Sequence, residues 1–116
     1  MADCANQLQV PLRGYTGEIC YRGDFYGQTS EGVPFPEGIS VEQFRRIIAS
    51  STATWTEMGC HPGYAEGITS VYASEREVEL QLLCDPQLKA ALKDHQIRLA
   101  SFIDFAATFT SLRGAL

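Results

Sequence analysis

The stretch T-E-M-G-C-H-P-G-Y at residues 56–64 is the most informative part of the chain. Residues 54–60 predict a short buried strand, and a Pro-Gly turn follows directly after His61. Alternate side chains on a strand share a face, so Trp55, Glu57, Gly59 and His61 are expected to point one way and Thr56, Met58 and Cys60 the other. The strand therefore ends with a carboxylate and an imidazole on one face, at the end where α/β proteins usually place their chemistry.

The bulk composition predicts one globular domain spanning residues 1–116, with 45% hydrophobic and 20% charged residues. The net charge of -5 and the scattered basic residues argue against a nucleic-acid partner, because phosphate binding needs clustered Lys and Arg. No apolar run approaches the roughly 20 residues of a membrane span. Residues 1–4 lack the features of a signal peptide, so a cytoplasmic location is expected.

The four cysteines are widely spaced and form no C-x-x-C pair. In a cytoplasmic chain this pattern predicts reduced, mostly buried thiols. A zinc site built from Cys60 and His61 is the alternative, but neighbouring strand residues point to opposite faces and do not easily share one ion.

Strands and helices are expected to alternate along the chain. Expected strands lie at Leu8–Tyr15, at Glu18–Tyr21, at 54–60 and at Ile97–Ile103, and expected helices at 1–7, 39–51, from Ser74, from Pro86 to about Asp94 and from Asp104 around Phe105, Phe109 and Leu112. This order implies a parallel sheet covered by helices on both faces. The two long loops between these elements are rich in glycine and aromatic residues, a composition typical of functional loops.

The helix starts are marked by capping patterns. Ser40 is the expected N-cap of the first long helix, with Gln43 completing a capping box and a buried stripe of Val41, Phe44, Ile47 and Ile48. Ser74 with Glu77 predicts a second capping box, followed by core contacts from Val78, Leu82 and Leu83. Asp85 and Pro86 fit an N-cap and the first helical position, with Leu88, Ala91 and Leu92 buried.

Residues 56–64 resemble the T-E-x-x-x-H-P-G-Y motif of the YdjC-like carbohydrate deacetylases. Further blocks agree in order: V-P-L-R at 10–13, G-D-F-Y-G-Q at 23–28, S-E-R-E-V-E-L at 74–80 and C-D-P at 84–86. These blocks resemble the subgroup associated with hopanoid biosynthesis, and the likeness covers roughly residues 5–104.

The resemblance implies an imperfect (β/α) barrel and metal-assisted hydrolysis of the acetamide of an amino sugar. In such enzymes a divalent ion, Mg or Zn, activates water, a carboxylate takes its proton, and an acid protonates the leaving amine. The family's metal ligands and base lie in its N-terminal half, and their motifs are missing from this sequence, whose only histidines are His61 and His95. The resemblance therefore predicts the C-terminal half of a barrel of about 250 residues, with no metal bound by this chain alone.

Two residues are the catalytic candidates. The resemblance places His61 at the mouth of the site as a proton donor or oxyanion ligand, whereas the residues alone also allow a histidine that merely holds the turn. Arg13 closes its predicted strand and is expected to orient a catalytic carboxylate through a bidentate pair, with an ordinary surface arginine as the alternative.

Two residues are supporting candidates, and three more are candidates for substrate binding. Glu57 is expected to pair with Arg13 or to anchor His61, because an unpaired buried carboxylate is costly. Arg76 lies in the first turn of its helix, where a cation is unfavourable, so a specific partner such as a structural ion pair is expected. The substrate-binding candidates, which would stack on sugar rings or simply pack their loops, are Phe25, Tyr26 and Tyr64.

Two hypotheses follow from these observations. In the first, the chain is the C-terminal part of a carbohydrate deacetylase, inactive alone and completed by an N-terminal half. In the second, it is a non-catalytic α/β module that self-associates, because half a barrel leaves strand edges and an apolar sheet face open.

Overall fold

The computed structural model describes residues 2–8 and 19–107. The elements are helix α1 (Ala2–Leu8), strand β1 (Ile19–Arg22), a 3-10 turn (Pro36–Gly38), helix α2 (Val41–Ser50), strand β2 (Trp55–Met58), helix α3 (Ser74–Leu83), helix α4 (Pro86–Asp94) and helical residues 102–107, called α5. The predicted strand Leu8–Tyr15 lies almost wholly outside the described residues, as do Phe109 and Leu112 of the predicted last helix.

The two described strands form a parallel pair, which makes the described part of the chain an α/β structure. Ile19 lies opposite Trp55, and the register continues to Arg22 opposite Met58. A hydrogen bond from Gly59 N–H to the Arg22 carbonyl (2.9 Å) extends the ladder by one step. Helix α2 makes the crossover between the strands. The strand predicted at 54–60 is confirmed, and the short strand predicted at Glu18–Tyr21 begins and ends one residue later than predicted.

The apolar core lies where α2 and α4 pack together with the loop after β1. Its buried members are Phe25, Ile39, Phe44, Ile47, Leu88 and Ala91, and partly buried neighbours include Val41, Ile48, Met58, Leu82, Leu83 and Leu92. The predicted buried stripes of α2 and α4 are therefore confirmed. Fully burying a side chain of this size contributes about 1.5–3 kcal/mol.

The helix caps follow the predictions in part. The Ser40 hydroxyl accepts from Gln43 N–H (3.1 Å), but the Gln43 amide donates to the Asp24 carbonyl (2.9 Å) and does not return to Ser40. Asp85 caps α4 by accepting from Gln87 N–H (2.8 Å). Only half of the predicted box at α2 is made, because the Gln43 side chain ties the helix to the loop after β1 instead.

The start of α3 differs from the prediction. Ala73 is the N-cap and no side chain caps the helix, while Ser74 is the first helical residue. Glu77 accepts from Ala65 N–H (3.0 Å) and is thereby used to hold a neighbouring loop. Val78, predicted to be buried, is 42% exposed.

The predicted strand Ile97–Ile103 is wrong. Residues 97–100 have no regular structure, α5 begins at residue 102, and Leu99 and Ile103 are 77% and 80% exposed. The local reason is a capping box: Asp104 N–H donates to the Ser101 hydroxyl (3.1 Å), and Ser101 N–H donates to the Asp104 carboxylate (2.9 Å). These hydrogen bonds lower the pKa of Asp104 and start a helix where alternating apolar residues had predicted a strand.

Arg22 closes the junction between β1 and α2. Its guanidinium forms two hydrogen bonds with the Asp24 carboxylate (3.0 and 2.6 Å) and donates to the Ile47 carbonyl (3.3 Å) near the end of α2. A cation in this position suits the negative end of the helix dipole. The same pairing lowers the pKa of Asp24.

All four cysteines are free and exposed, contrary to the predicted burial. Cys4 lies in α1, Cys20 in β1, Cys60 in the turn after β2 and Cys84 at the C-cap of α3. Within residues 2–8 and 19–107, no helix is both long enough and apolar enough to cross a bilayer.

Candidate functional site

Three backbone N–H groups of the turn after β2 donate hydrogen bonds to residues 76–79 of helix α3. His61 N–H donates to the Glu79 carboxylate (2.7 Å), Gly63 N–H to the Arg76 carbonyl (3.1 Å) and Ala65 N–H to the Glu77 carboxylate (3.0 Å). Two of the three acceptors are carboxylates, and such charge-assisted bonds are roughly twice as strong as neutral ones. These hydrogen bonds therefore fix the backbone of the turn that carries His61 against helix α3.

Glu79 lies at the centre of this region. Its side chain is completely buried, while Oε1 accepts the His61 N–H and Oε2 accepts the Tyr72 hydroxyl at 2.6 Å. The same Oε2 lies 3.9 Å from His61 Nδ1, within ion-pair range when the imidazole is protonated. A buried carboxylate is tolerated when its oxygens have donors, and both oxygens have one here.

Tyr72 links Glu79 to the loop after β1. Its hydroxyl accepts from Gly27 N–H (2.9 Å) while donating to Glu79. Burial and the adjoining carboxylate raise the pKa of Tyr72 far above its ordinary value of 10.0. A Cβ added at Gly27 would lie 2.8 Å from Ile39 Cδ1 and 3.1 Å from the Tyr72 hydroxyl, so these side chains would have to shift.

Three rings meet around this polar centre. Tyr26 stacks on Tyr72 with a centroid distance of 4.6 Å and an interplanar angle of 2°. The His61 imidazole meets both rings edge-on, at 5.5 Å from Tyr26 and 5.7 Å from Tyr72. The His61 side chain is 45% exposed, so the cluster presents an imidazole and part of Tyr26 to solvent, with Tyr72 and Glu79 beneath.

The structure brings together some predicted site residues and separates others. His61 and Tyr26 are in contact, and Tyr64 is 76% exposed on the same turn as His61. Phe25 is 1% exposed and packs edge-on against Phe44 at 6.3 Å, so the prediction that it stacks on a sugar conflicts with its place in the core. Arg13 lies outside the described residues.

The two supporting candidates have clear positions. Glu57 lies in β2 opposite Tyr21 and is partly buried, but the carboxylate that holds His61 is Glu79. The Arg76 Nε donates to the Tyr72 carbonyl (2.9 Å), with the guanidinium carbon 5.9 Å from the Tyr72 ring centre. The partner expected for Arg76 is thus a carbonyl and a ring, and Arg76 holds Tyr72 in place.

Sequence reasoning missed Glu79 and the role of Tyr72. The sequence does contain an indication that Glu79 is buried. It lies four residues before Leu83 and three before Leu82, so it belongs to the apolar face predicted for α3. A carboxylate on such a face needs buried donors. No comparable signal marks Tyr72, because its hydroxyl joins Glu79 of α3 to Gly27, which lies 45 residues earlier in the chain.

The described residues do not provide a metal centre. No group of three or more His, Cys, Asp or Glu side chains in residues 2–8 and 19–107 is placed to hold an ion. Their donor set does not fit the divalent cation implied by the family resemblance.

Comparisons with known proteins agree on one family. The model of the YdjC-like protein family matches residues 6–94. The chain is 29% identical over 109 residues to a carbohydrate deacetylase of Vibrio parahaemolyticus, covering 90% of this chain and 43% of that protein. It is 32% identical over 105 residues to a chitooligosaccharide deacetylase of Salmonella paratyphi C, covering 86% of this chain and 37% of that protein. No solved structure matches. The chain thus spans about two fifths of the length of these curated relatives.

Proposed function

This chain belongs to the YdjC-like protein family, and from that membership we propose that it forms part of the active site of a carbohydrate N-deacetylase. The reaction is hydrolysis of the acetamide of an amino sugar, with acetate and a free amine as products. The names of the relatives support the substrate class. The observation that carries the proposal is the imidazole of His61, half-exposed beside Tyr26 and held from below by α3.

His61 is proposed as the proton donor. When water has added to the acetamide carbon, the C–N bond breaks only if the departing nitrogen receives a proton, and an imidazolium is suited to give one near neutral pH. Two features fit this role: the ring is partly open to solvent, and its backbone is fixed by the 2.7 Å bond to Glu79. General acid catalysis of this kind contributes about 10²–10⁴-fold in rate.

The aromatic residues are proposed as the sugar-facing surface. Tyr26 contacts the His61 ring, and Tyr64 is exposed three residues further along the turn. Apolar faces of a pyranose pack against such rings. Arg13 stays a proposed orienting residue on sequence grounds.

The metal ligands are proposed to come from protein beyond the matched region. The resemblance implies a divalent ion, Mg or Zn, and the described donor set does not fit one, so no catalytic step is derived through it. We further propose that the chain corresponds to the C-terminal half of the family's (β/α) barrel, belongs to the hopanoid-associated subgroup and is inactive alone. The 37–43% coverage of the relatives and the parallel pair of strands support a part of a longer α/β protein. The C-terminal placement and the subgroup rest on the sequence motifs alone, and inactivity rests on the missing ligand motifs.

A chimeric enzyme tests the proposal. The matching region of the Vibrio parahaemolyticus deacetylase is replaced by this chain, and acetate release from N-acetylated chitooligosaccharides is measured. We expect activity in the chimera, a loss of about 10²–10⁴-fold in kcat for His61→Ala, and no change for His95→Ala, the matched exposed histidine. A folded His61→Ala chimera that keeps full activity would exclude His61 as the proton donor.

A second candidate is a non-catalytic module that self-associates through a second copy of the chain. A groove of about 890 Å³ runs along β2 and is lined mainly by apolar residues, among them Trp55, Met58 and Leu99. Large exposed apolar surfaces mark interaction sites. Light scattering tests this: we expect an oligomer that Leu99→Asp dissociates, whereas Val71→Asp, an 88% exposed position outside the groove lining, has no effect. A monomer at high concentration excludes the module.

A further inference from the structure

Glu79 is the single fully buried charged side chain among the described residues, and the function proposed above uses it only to fix the backbone of His61. Removing a carboxylate from water costs several kcal/mol unless donors replace the lost solvation. A glutamine or an apolar residue would occupy a helix face of this kind at lower cost. A buried carboxylate at this position therefore suggests a role that an uncharged side chain would not fill.

The two carboxylate oxygens of Glu79 connect three separate segments of the chain through hydrogen bonds. Oε1 binds the backbone of His61, Oε2 binds the Tyr72 hydroxyl, and that hydroxyl in turn accepts from Gly27 N–H. Every donor in this chain of bonds points toward the carboxylate. The two direct donors bind different oxygens of Glu79, and a glutamine in the same position would turn its NH2 group, which donates, toward one of them.

The carboxylate also faces the ring of His61. Oε2 lies 3.9 Å from Nδ1, which is too long for a direct hydrogen bond. The two groups still interact electrostatically, because the carboxylate is fully buried, although solvent on the exposed side of the imidazole reduces the effect. The other groups that face the ring are Tyr26 and Tyr72, whose rings meet it edge-on. Glu79 is thus the one anionic group that the described structure places against this imidazole.

We propose that Glu79 is a positioning residue, which fixes the His61 backbone and keeps a proton on Nδ1, so that Nε2 is the ring nitrogen offered to the substrate. A partner hydrogen-bonded to the second ring nitrogen commonly selects the tautomer of a functional imidazole. Here Glu79 would act on Nδ1 through the 3.9 Å electrostatic contact instead. In the reaction, which rests on the function proposed above, the Nε2–H bond breaks and its proton passes to the leaving nitrogen. The ring then remains neutral with its proton on Nδ1, the form that the carboxylate favours.

The test is ¹⁵N NMR of the imidazoles in the chain as it exists, above the pH at which both histidines have lost their charge. We expect His61 to populate the Nδ1–H tautomer strongly and the exposed His95 not to. In Glu79→Gln this preference of His61 is lost, and the His61 backbone amide resonance moves upfield as its charge-assisted bond weakens. In Glu77→Gln, the matched control on the same helix, the Ala65 amide moves and the His61 ring does not.

Two results would overturn the proposal. One is a wild-type His61 with the same tautomer ratio as His95, which needs no variant and is decisive even if Glu79→Gln fails to fold. The other is a folded Glu79→Gln protein in which the His61 ring resonances are unchanged, which would make Glu79 a purely structural anchor. Because no turnover is measured, an inactive chimera would count against the proposed deacetylase and leave this result standing.

Discussion

Replacing Tyr72 by phenylalanine removes one hydroxyl and leaves the ring that stacks on Tyr26 in place. That hydroxyl accepts from Gly27 N–H at 2.9 Å and donates to Glu79 at 2.6 Å, and all three residues are buried. The substitution leaves a backbone donor and a carboxylate oxygen without their partners. Since each of these two groups costs about 1–3 kcal/mol, we expect the free energy of unfolding to fall by about 2–6 kcal/mol.

Urea denaturation followed by circular dichroism measures this loss. A domain of this size is stable by about 5–15 kcal/mol, so the midpoint should move clearly to lower urea with an unchanged slope. Tyr64→Phe is the matched control: its side chain is 76% exposed, and we expect a change within about 0.5 kcal/mol. If both variants unfold at the wild-type midpoint, the hydrogen-bonded centre described here does not contribute to stability.

Three other predictions follow from individual contacts. The pKa of Tyr72 is raised above 10.0 in the folded chain, so the unfolded chain loses this proton first as the pH rises. Above pH 10 the free energy of unfolding should therefore fall by up to about 1.4 kcal/mol per pH unit. Urea titrations in alkaline buffer should show this slope in the wild type and not in Tyr72→Phe. Gly38→Ala places a methyl group against the Tyr26 carbonyl and should lower the free energy of unfolding by about 1–3 kcal/mol. Gly63→Ala is the control, because its methyl group meets nothing within 4 Å and should leave the stability unchanged. Equal urea midpoints for the two variants would contradict the close approach of Gly38 to the Tyr26 carbonyl. Ile47→Ala, at a 2% exposed position, should lose about 2–5 kcal/mol in the same assay, and a loss below 1 kcal/mol would show that the core is not packed as described.

The sequence predicts well those features that depend on neighbouring residues. The apolar stripe of α2, the Ser40 cap and the Asp85-Pro86 start of α4 are all local patterns, and the structure contains them. The strand predicted at 54–60 is also found, at Trp55–Met58, where threonine and tryptophan favour a strand and the glycine and proline that follow end it.

The failures come where two local signals compete or where partners are distant. Residues 97–103 alternate like a strand, yet the Ser101–Asp104 box favours a helix, and in the described structure no strand lies beside them to reward the extended form. The polar centre could not be assembled from the sequence, because Tyr72 finds its partners 45 residues earlier and seven residues later.

The loop between Ala65 and Tyr72 is exposed throughout residues 66–70, while both of its ends are tied down. Doubling the length of a flexible loop costs only about 0.6 kcal/mol. Extra residues inserted here would reshape the rim next to the imidazole without displacing the ring or its buried support. Under the function proposed above, the loop would then influence which substrate is admitted, while the backbone of His61 stays held by α3.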